Sequence, residues 1–101
     1  MSQELLAGLI RLHILHHAAQ EEIFGLGIIE ELRRHGYELS PGTLYPMLHK
    51  MEERGYLVSR ERRKGKQARR VYRATAAGRR ALAQAKVKVK ELFAELFEHE
   101  T

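Results

Sequence analysis

Nine basic side chains fall within one short stretch of the chain and give the sequence its strongest chemical signal. Between positions 54 and 73, a single acidic residue, Glu61, interrupts them. The formal net charge of the whole chain is +5, so the positive charge is concentrated in this stretch. Such a patch binds phosphate backbones by releasing their counterions, although an ordinary solvated turn also carries charge. The nine are Arg54, Arg60, Arg62, Arg63, Lys64, Lys66, Arg69, Arg70 and Arg73.

A run of hydroxyl and imidazole side chains precedes the basic stretch. Ser followed by Pro is typical of a helix start, so we expect a helix from Ser40 to Arg54, with free N–H groups that can hold a phosphate. Its first two turns lack Arg, Asn and Gln, the side chains that make the strongest bidentate base contacts. We therefore expect this helix to read bases only modestly, with specificity helped by DNA shape. The alternative is that it is an ordinary surface helix with polar residues. The predicted DNA-binding residues are Ser40, Pro41, Thr43, Tyr45, His49, Lys50, Arg62, Arg63, Lys64, Lys66, Arg69 and Arg70.

Three histidines near the N-terminus could bind a metal ion. His13, His16 and His17 are spaced i, i+3 and i+4, which places them in one sector of a helix. They could hold one Zn²⁺ or Cd²⁺, with Glu21 or a residue of a second chain completing the shell. Packing in a dimer interface, or capping of helix carbonyls, explains the same spacing without a metal. A pH response is a third interpretation, because imidazoles buried as neutral groups become charged near pH 6.

No catalytic constellation stands out, and we expect no enzymatic activity. The chain contains no cysteine, which excludes a disulfide scaffold, a thiolate zinc finger and a cysteine nucleophile. It also contains no aspartate, and every acidic residue is glutamate. No glycine-rich phosphate loop, dinucleotide fingerprint or serine elbow occurs. We accordingly expect no required cofactor, with Zn or Cd as an effector at most.

The order of the predicted elements is helix, helix, helix, strand, strand, helix. Residues 3–18 and Phe24–Arg34 precede the Ser40–Arg54 helix, and Leu26, Ile29 and Leu32 are expected to face inward. Two strands, Tyr56–Glu61 and Arg70–Thr75, flank a basic hairpin tip with one glycine. Thr75 then caps a helix that reaches Glu98. This order predicts a mostly α, α+β winged helix-turn-helix fold with a two-stranded β hairpin.

The first and last helices are too apolar on their outer sides for an isolated small domain. The first helix is apolar nearly all the way round. The last helix carries apolar residues at alternating spacings of three and four, as in a coiled coil, and two phenylalanines widen this seam near its end. Both features predict a second copy of the chain as partner. The predicted dimer interface comprises Leu5, Leu9, Leu12, Leu82, Val89, Leu92, Phe93, Leu96 and Phe97.

The chain is short enough to form a single hydrophobic core, so the last helix is expected to be continuous with the domain that precedes it. We expect a winged DNA-binding domain over residues 1–75 and a dimerisation helix over residues 76–101. The start of the chain lacks a basic targeting region, and no apolar run reaches the length of a membrane span. These features fit a cytoplasmic protein without membrane contact.

The segment from Ser40 to Leu57, with Thr43-Leu44-Tyr45-Pro46 at its centre, resembles the recognition-helix signature of the PadR family of bacterial transcriptional regulators. Phe24–Ile28, Arg70–Thr75 and Gly78–Leu82 also match, so the resemblance covers almost the whole chain. It implies a homodimeric winged-helix repressor of the subgroup with a short C-terminal helix, whose first and last helices build the dimer. The chain has no tryptophan and so lacks the tryptophan pair that some multidrug-binding relatives place at the dimer centre.

Two functions remain open from the sequence. The first is a sequence-specific dimeric repressor that a small ligand or a metal releases from its DNA operator. The second is a winged-helix interaction module that binds protein or RNA through its C-terminal seam. The basic hairpin and the polar face of the Ser40–Arg54 helix favour the first.

Overall fold

The computed structural model describes residues 3–98 of the 101-residue chain. The ends of the two predicted units, residues 1–2 and 99–101, therefore lie outside the described residues. The elements are α1 (Gln3–Gln20), β1 (Ile23–Phe24), α2 (Gly25–Arg34), α3 (Pro41–Glu53), β2 (Leu57–Lys64), β3 (Gln67–Ala74) and α4 (Ala76–Phe93), and a π-helical turn, Ala94–Glu98, follows α4.

The sheet is antiparallel, in the order β1-β3-β2, and it confirms the α+β winged-helix prediction while adding a strand. The predicted two-stranded hairpin is present as β2 and β3, and a short strand that the prediction did not include pairs with it. Ile23 and Phe24 pair with Tyr72 and Val71 of β3 and form a third strand. Two residues are too few to show the apolar alternation that identifies a strand in a sequence. The hairpin arms are also longer than predicted, because all eight residues of β2 pair with β3 from Leu57↔Ala74 to Lys64↔Gln67.

One apolar core joins α1, α2, α3 and the base of the sheet. Its most deeply buried side chains are Tyr72, Ile14, Leu32, Leu44, Leu48 and Leu57. The predicted inward face of α2 was wrong at one position, since Leu26 is 64% exposed. Ile28 is buried there instead, next to Ile29 and Leu32. Contact with β1 and α3 sets this rotation of α2, and the apolar spacing of so short a helix does not determine it.

The two predicted helix caps differ in the structure. Thr75 accepts a hydrogen bond from the Gly78 N–H (2.9 Å) and caps α4 as expected. Ser40 has the extended backbone of an N-cap, but its side chain makes no capping hydrogen bond and its hydroxyl lies 3.3 Å from that of Thr43. In the first turn of α3, Pro41 has no N–H and the Thr43 and Leu44 N–H groups donate to the Ser40 carbonyl, so the Gly42 N–H is the one that a ligand can reach.

The molecule is elongated because the β2–β3 hairpin and α4 project from the core. Its Cα radius of gyration is 15.0 Å, whereas a compact chain of this length has about 13 Å. No helix of the described residues is long and apolar enough to span a membrane.

Candidate nucleic-acid interface

The outer face of α3 presents most of the polar side chains that the sequence predicted to read DNA. Tyr45, His49 and Lys50 are exposed along it, and Thr43 is half-buried. Ser40 and Pro41 are exposed at its start. Leu44, Leu48 and Met51 occupy the opposite face and are buried in the core. The helix is thus fixed by its apolar stripe, and its polar stripe stays at the surface, as a groove-reading helix requires.

The start of α2 sets the position of Tyr45. The Tyr45 hydroxyl lies directly over Gly25, where a Cβ atom would overlap the phenol ring. Gly25 therefore allows the first turn of α2 to approach α3 closely. Tyr45 is 36% exposed in this arrangement, so part of its ring remains available at the surface. Nothing in the sequence pattern indicated this contact.

The hairpin formed by β2 and β3, here called the wing, extends the polar surface away from α3. Its arms pair in register to the two-residue tip, where Gly65 turns the chain with a positive φ of 63°. Residues 60–70 are all exposed. A depression between the arms is lined by basic side chains, including Arg62, Arg63, Lys64 and Arg69. The wing therefore forms the most concentrated positive surface of the described residues.

A hydrogen-bond network fastens the wing to α3. The Glu52 carboxylate accepts hydrogen bonds from the Ser59 N–H (2.9 Å) and from the Ser59 hydroxyl (2.7 Å). The Arg70 guanidinium donates to the same hydroxyl oxygen at 2.9 Å. Arg70 and His49 consequently border one shallow depression, which makes α3 and the wing a continuous surface. No pattern in the sequence indicates the contact between Glu52 and Ser59, because it depends on how α3 packs against β2.

Two arginines on the other face of the wing are already partnered by an acidic residue. Glu22 accepts hydrogen bonds from Arg60 (2.7 Å) and from Arg62 (2.9 Å). The hydrogen bond from Arg60 is the largest cause that lowers the pKa of Glu22, so this carboxylate stays ionised. Arg69 lies on the same face with its guanidinium 3.7 Å from the centre of the Phe24 ring, a cation–π contact. These three arginines brace the wing against β1.

The lysines at the wing tip differ from these arginines. Arg63 pairs with Glu61 at 3.1 Å. Within residues 3–98, by contrast, neither Lys64 nor Lys66 has an ion pair or a side-chain hydrogen bond. Their charges are therefore not compensated by any acidic group among the described residues.

An apolar groove lies between α1 and α4, on the residues predicted to form a dimer. Its volume is about 540 Å³, and Leu9, Leu12, Leu82, Val89 and Phe93 line it. Leu5 lies beyond the groove and is 74% exposed. Exposed fractions are 45–56% for Val89, Leu92, Phe93, Leu96 and Phe97. Leu12 and Leu82 are partly buried, since they also contact the core or the opposite helix.

The structure divides the predicted histidine triad and adds a fourth histidine. His16 stays in edge-on contact with the His17 ring, with 5.1 Å between the ring centres, but it lies outside the group of donor atoms that could share one ion and borders the α1–α4 groove near the Gln20 side chain (3.4 Å). His13 and His17 instead meet His35, which directly follows α2. Burial, with a contribution from His35, lowers the pKa of His13. One clue to His35 lies in its position four residues after Glu31.

Comparisons with known proteins agree with this geometry. The profile of the transcriptional regulator PadR-like family matches residues 14–84. The transcriptional regulator Rv3488 of Mycobacterium tuberculosis is 55% identical over 87 residues, which cover 86% of this chain and 81% of that protein. A PadR family regulator from Eggerthella lenta superposes with a TM-score of 0.79 at 27% identity, over 95% of this chain and 81% of that one.

One further solved structure contains DNA. Bacillus subtilis PadR, crystallised in complex with operator DNA, superposes with a TM-score of 0.70 at 20% identity. The superposition covers 77% of this chain and 46% of that chain, and it shows a shared fold. The matches are to regulators rather than to enzymes, in agreement with the absence of a catalytic motif.

Proposed function

The chain belongs to the PadR-like family of transcriptional regulators, and on that premise we propose that it is a homodimeric repressor that binds a specific DNA operator through α3 and the wing. One observation carries this proposal. The Glu52–Ser59–Arg70 network joins the polar face of α3 to the most basic surface of the described residues. A groove-reading helix and a phosphate-binding hairpin are thereby held in one orientation. The Bacillus subtilis relative, which was crystallised with operator DNA, supports the same assignment.

The two parts of this surface have different tasks in the proposal. The hydroxyls of Thr43 and Tyr45 and the imidazole of His49 meet base edges in the major groove, while the Gly42 N–H at the start of α3 contacts a phosphate. Lys64 and Lys66 contact the backbone further along, because they have no protein partner among the described residues. The arginines held by Glu22 and Phe24 stiffen the wing.

Dimerisation supplies the second reading helix. The α1–α4 groove and the exposed end of α4 form one apolar surface, and a second copy of the chain covers it by self-complementary packing. Two copies then present two α3 helices to successive major-groove faces, about one helical turn apart. The operator is therefore expected to be a pseudo-palindrome, and the chain to work in the cytoplasm.

An in vitro selection from random duplexes tests this function. We expect the purified full chain to enrich a two-fold-related sequence whose half-sites are about 10–10.5 base pairs apart or a multiple of this spacing. A duplex RNA of random sequence serves as the control and should be retained only through weak backbone contacts. Failure to enrich any motif, or equal retention of the RNA, would contradict the proposed function.

A further inference from the structure

Three imidazoles and one carboxylate converge where α1 meets the end of α2. His13 and His17 come from α1, and His35 comes from the residue that follows α2. Their ligand nitrogens all lie within 4.8 Å of one another. Glu31 lies beside them, with its Oε1 atom 3.6 Å from the His17 Nε2 atom and 3.4 Å from the His35 Nε2 atom. The fold therefore brings three nitrogen donors together and places one oxygen donor beside two of them.

The spacing of these donors fits a tetrahedral metal ion. Zn²⁺ binds nitrogen at about 2.0–2.1 Å, so the donor atoms of a tetrahedral site are about 3.3 Å apart. The two distances from Glu31 are already close to that value. The widest separation among the histidines, 4.8 Å, exceeds it, and rotation of the exposed His35 imidazole and of the half-buried His13 and His17 about their side-chain bonds can close the difference. We propose that His13, His17, His35 and Glu31 form a binding site for one divalent transition-metal ion of the Zn²⁺ class.

Neighbouring groups orient the donors. The second oxygen of Glu31, Oε2, accepts a hydrogen bond from Arg34 at 3.2 Å, which leaves Oε1 for the metal. The Tyr37 ring stands edge-on against His13 with 5.2 Å between the ring centres. Outer contacts of this kind commonly fix metal-ligating side chains.

The site lies between two parts of the molecule that the proposed function uses. Its ligands link α1, which borders the proposed dimer groove, to α2, which packs against the reading helix. The metal site thus deepens the proposed function by naming the class of effector, and its regulatory meaning rests on that function. Binding of the ion itself does not depend on the proposed function, so ion binding and DNA binding can be tested separately.

Calorimetric titration of Zn²⁺ into the metal-free full chain tests the assignment. We expect one ion per chain with a Kd in the micromolar range or tighter. At a free concentration a hundred times the Kd, the ion should raise Tm by about 10 °C, because it binds the folded state alone. Replacing a ligand by His35→Gln or Glu31→Gln should weaken binding by about a hundredfold or more.

The variant Glu30→Gln is the matched control for Glu31→Gln, since it removes the neighbouring carboxylate of α2, which is exposed and lies outside the cluster. It should bind Zn²⁺ like the unchanged chain. His35 is 48% exposed at a helix end, so His35→Gln should keep the metal-free Tm and report on ligation rather than on folding. A Kd weaker than millimolar, unaltered binding by His35→Gln, or an equal loss in Glu30→Gln would overturn the site. A chain that enriches an operator yet fails these tests would leave the proposed function intact.

Discussion

Removal of a single charge at the wing tip should change how DNA affinity depends on salt. Lys66 has no protein partner within the described residues, so we expect its full charge to meet a phosphate. Each phosphate contact contributes about 0.9 to the slope of log affinity against log salt on B-form DNA. A dimer carries two wings, so Lys66→Gln should make this slope shallower by about 1.8. The affinity of the unchanged chain divided by that of the variant should then fall by roughly twelvefold as the salt concentration rises from about 50 to about 200 mM.

Fluorescence anisotropy with a labelled duplex measures this slope directly. Lys88→Gln is the matched control, because it removes the same charge from an exposed lysine of α4 whose side chain is 78% accessible. Its slope should equal that of the unchanged chain. Arg62→Gln should give a smaller change than Lys66→Gln, since Glu22 already neutralises Arg62. An unaltered slope for Lys66→Gln, or an equal change for Lys88→Gln, would refute the assignment of the wing tip to the DNA backbone.

Three other changes probe the remaining parts of the interface. Replacement of Thr43 or His49 by Ala should alter which operator is preferred, by about 1–3 kcal/mol per lost base contact in competition binding, and a uniform loss on all sequences would argue against base reading. Gly25→Ala should reduce the free energy of unfolding in urea by about 1 kcal/mol, because the added methyl displaces the Tyr45 ring from its place over Gly25; unchanged stability would show that the ring moves aside without cost. Ending the chain after Lys86 should give insoluble or unfolded material, as judged by size-exclusion chromatography, since the apolar surface of α1 loses its cover. A soluble folded monomer would contradict the proposed dimer.

The elements with strong local signals were predictable from sequence. The Ser-Pro start and the apolar stripe of Leu44, Leu48 and Met51 predict both the extent of α3 and its outer face, and the structure places them accordingly. Thr75 likewise marks the start of α4 and caps it. These features depend on neighbours in the chain, so the sequence contains the information needed to identify them.

Features that depend on tertiary contacts were not predictable in the same way. The strand β1 exists because Ile23 and Phe24 meet β3, and two residues alone carry no strand pattern. Helical spacing grouped His16 with His13 and His17, whereas packing of α2 on α1 supplies His35 from a distant part of the chain. Similarly, a count of basic residues cannot show that Glu22 holds Arg60 and Arg62 while the lysines at the tip remain available.

The ratio of specific to random-sequence affinity at about 0.15 M salt tests the central claim most directly. The measurement compares the selected operator with a duplex of equal length and shuffled sequence, and sedimentation of the same complexes gives the number of chains bound. We predict a ratio of at least about a thousand, with two chains on the operator. Equal affinity for both duplexes, or a single chain saturating the operator, would contradict a dimeric regulator that reads sequence through α3 and the wing.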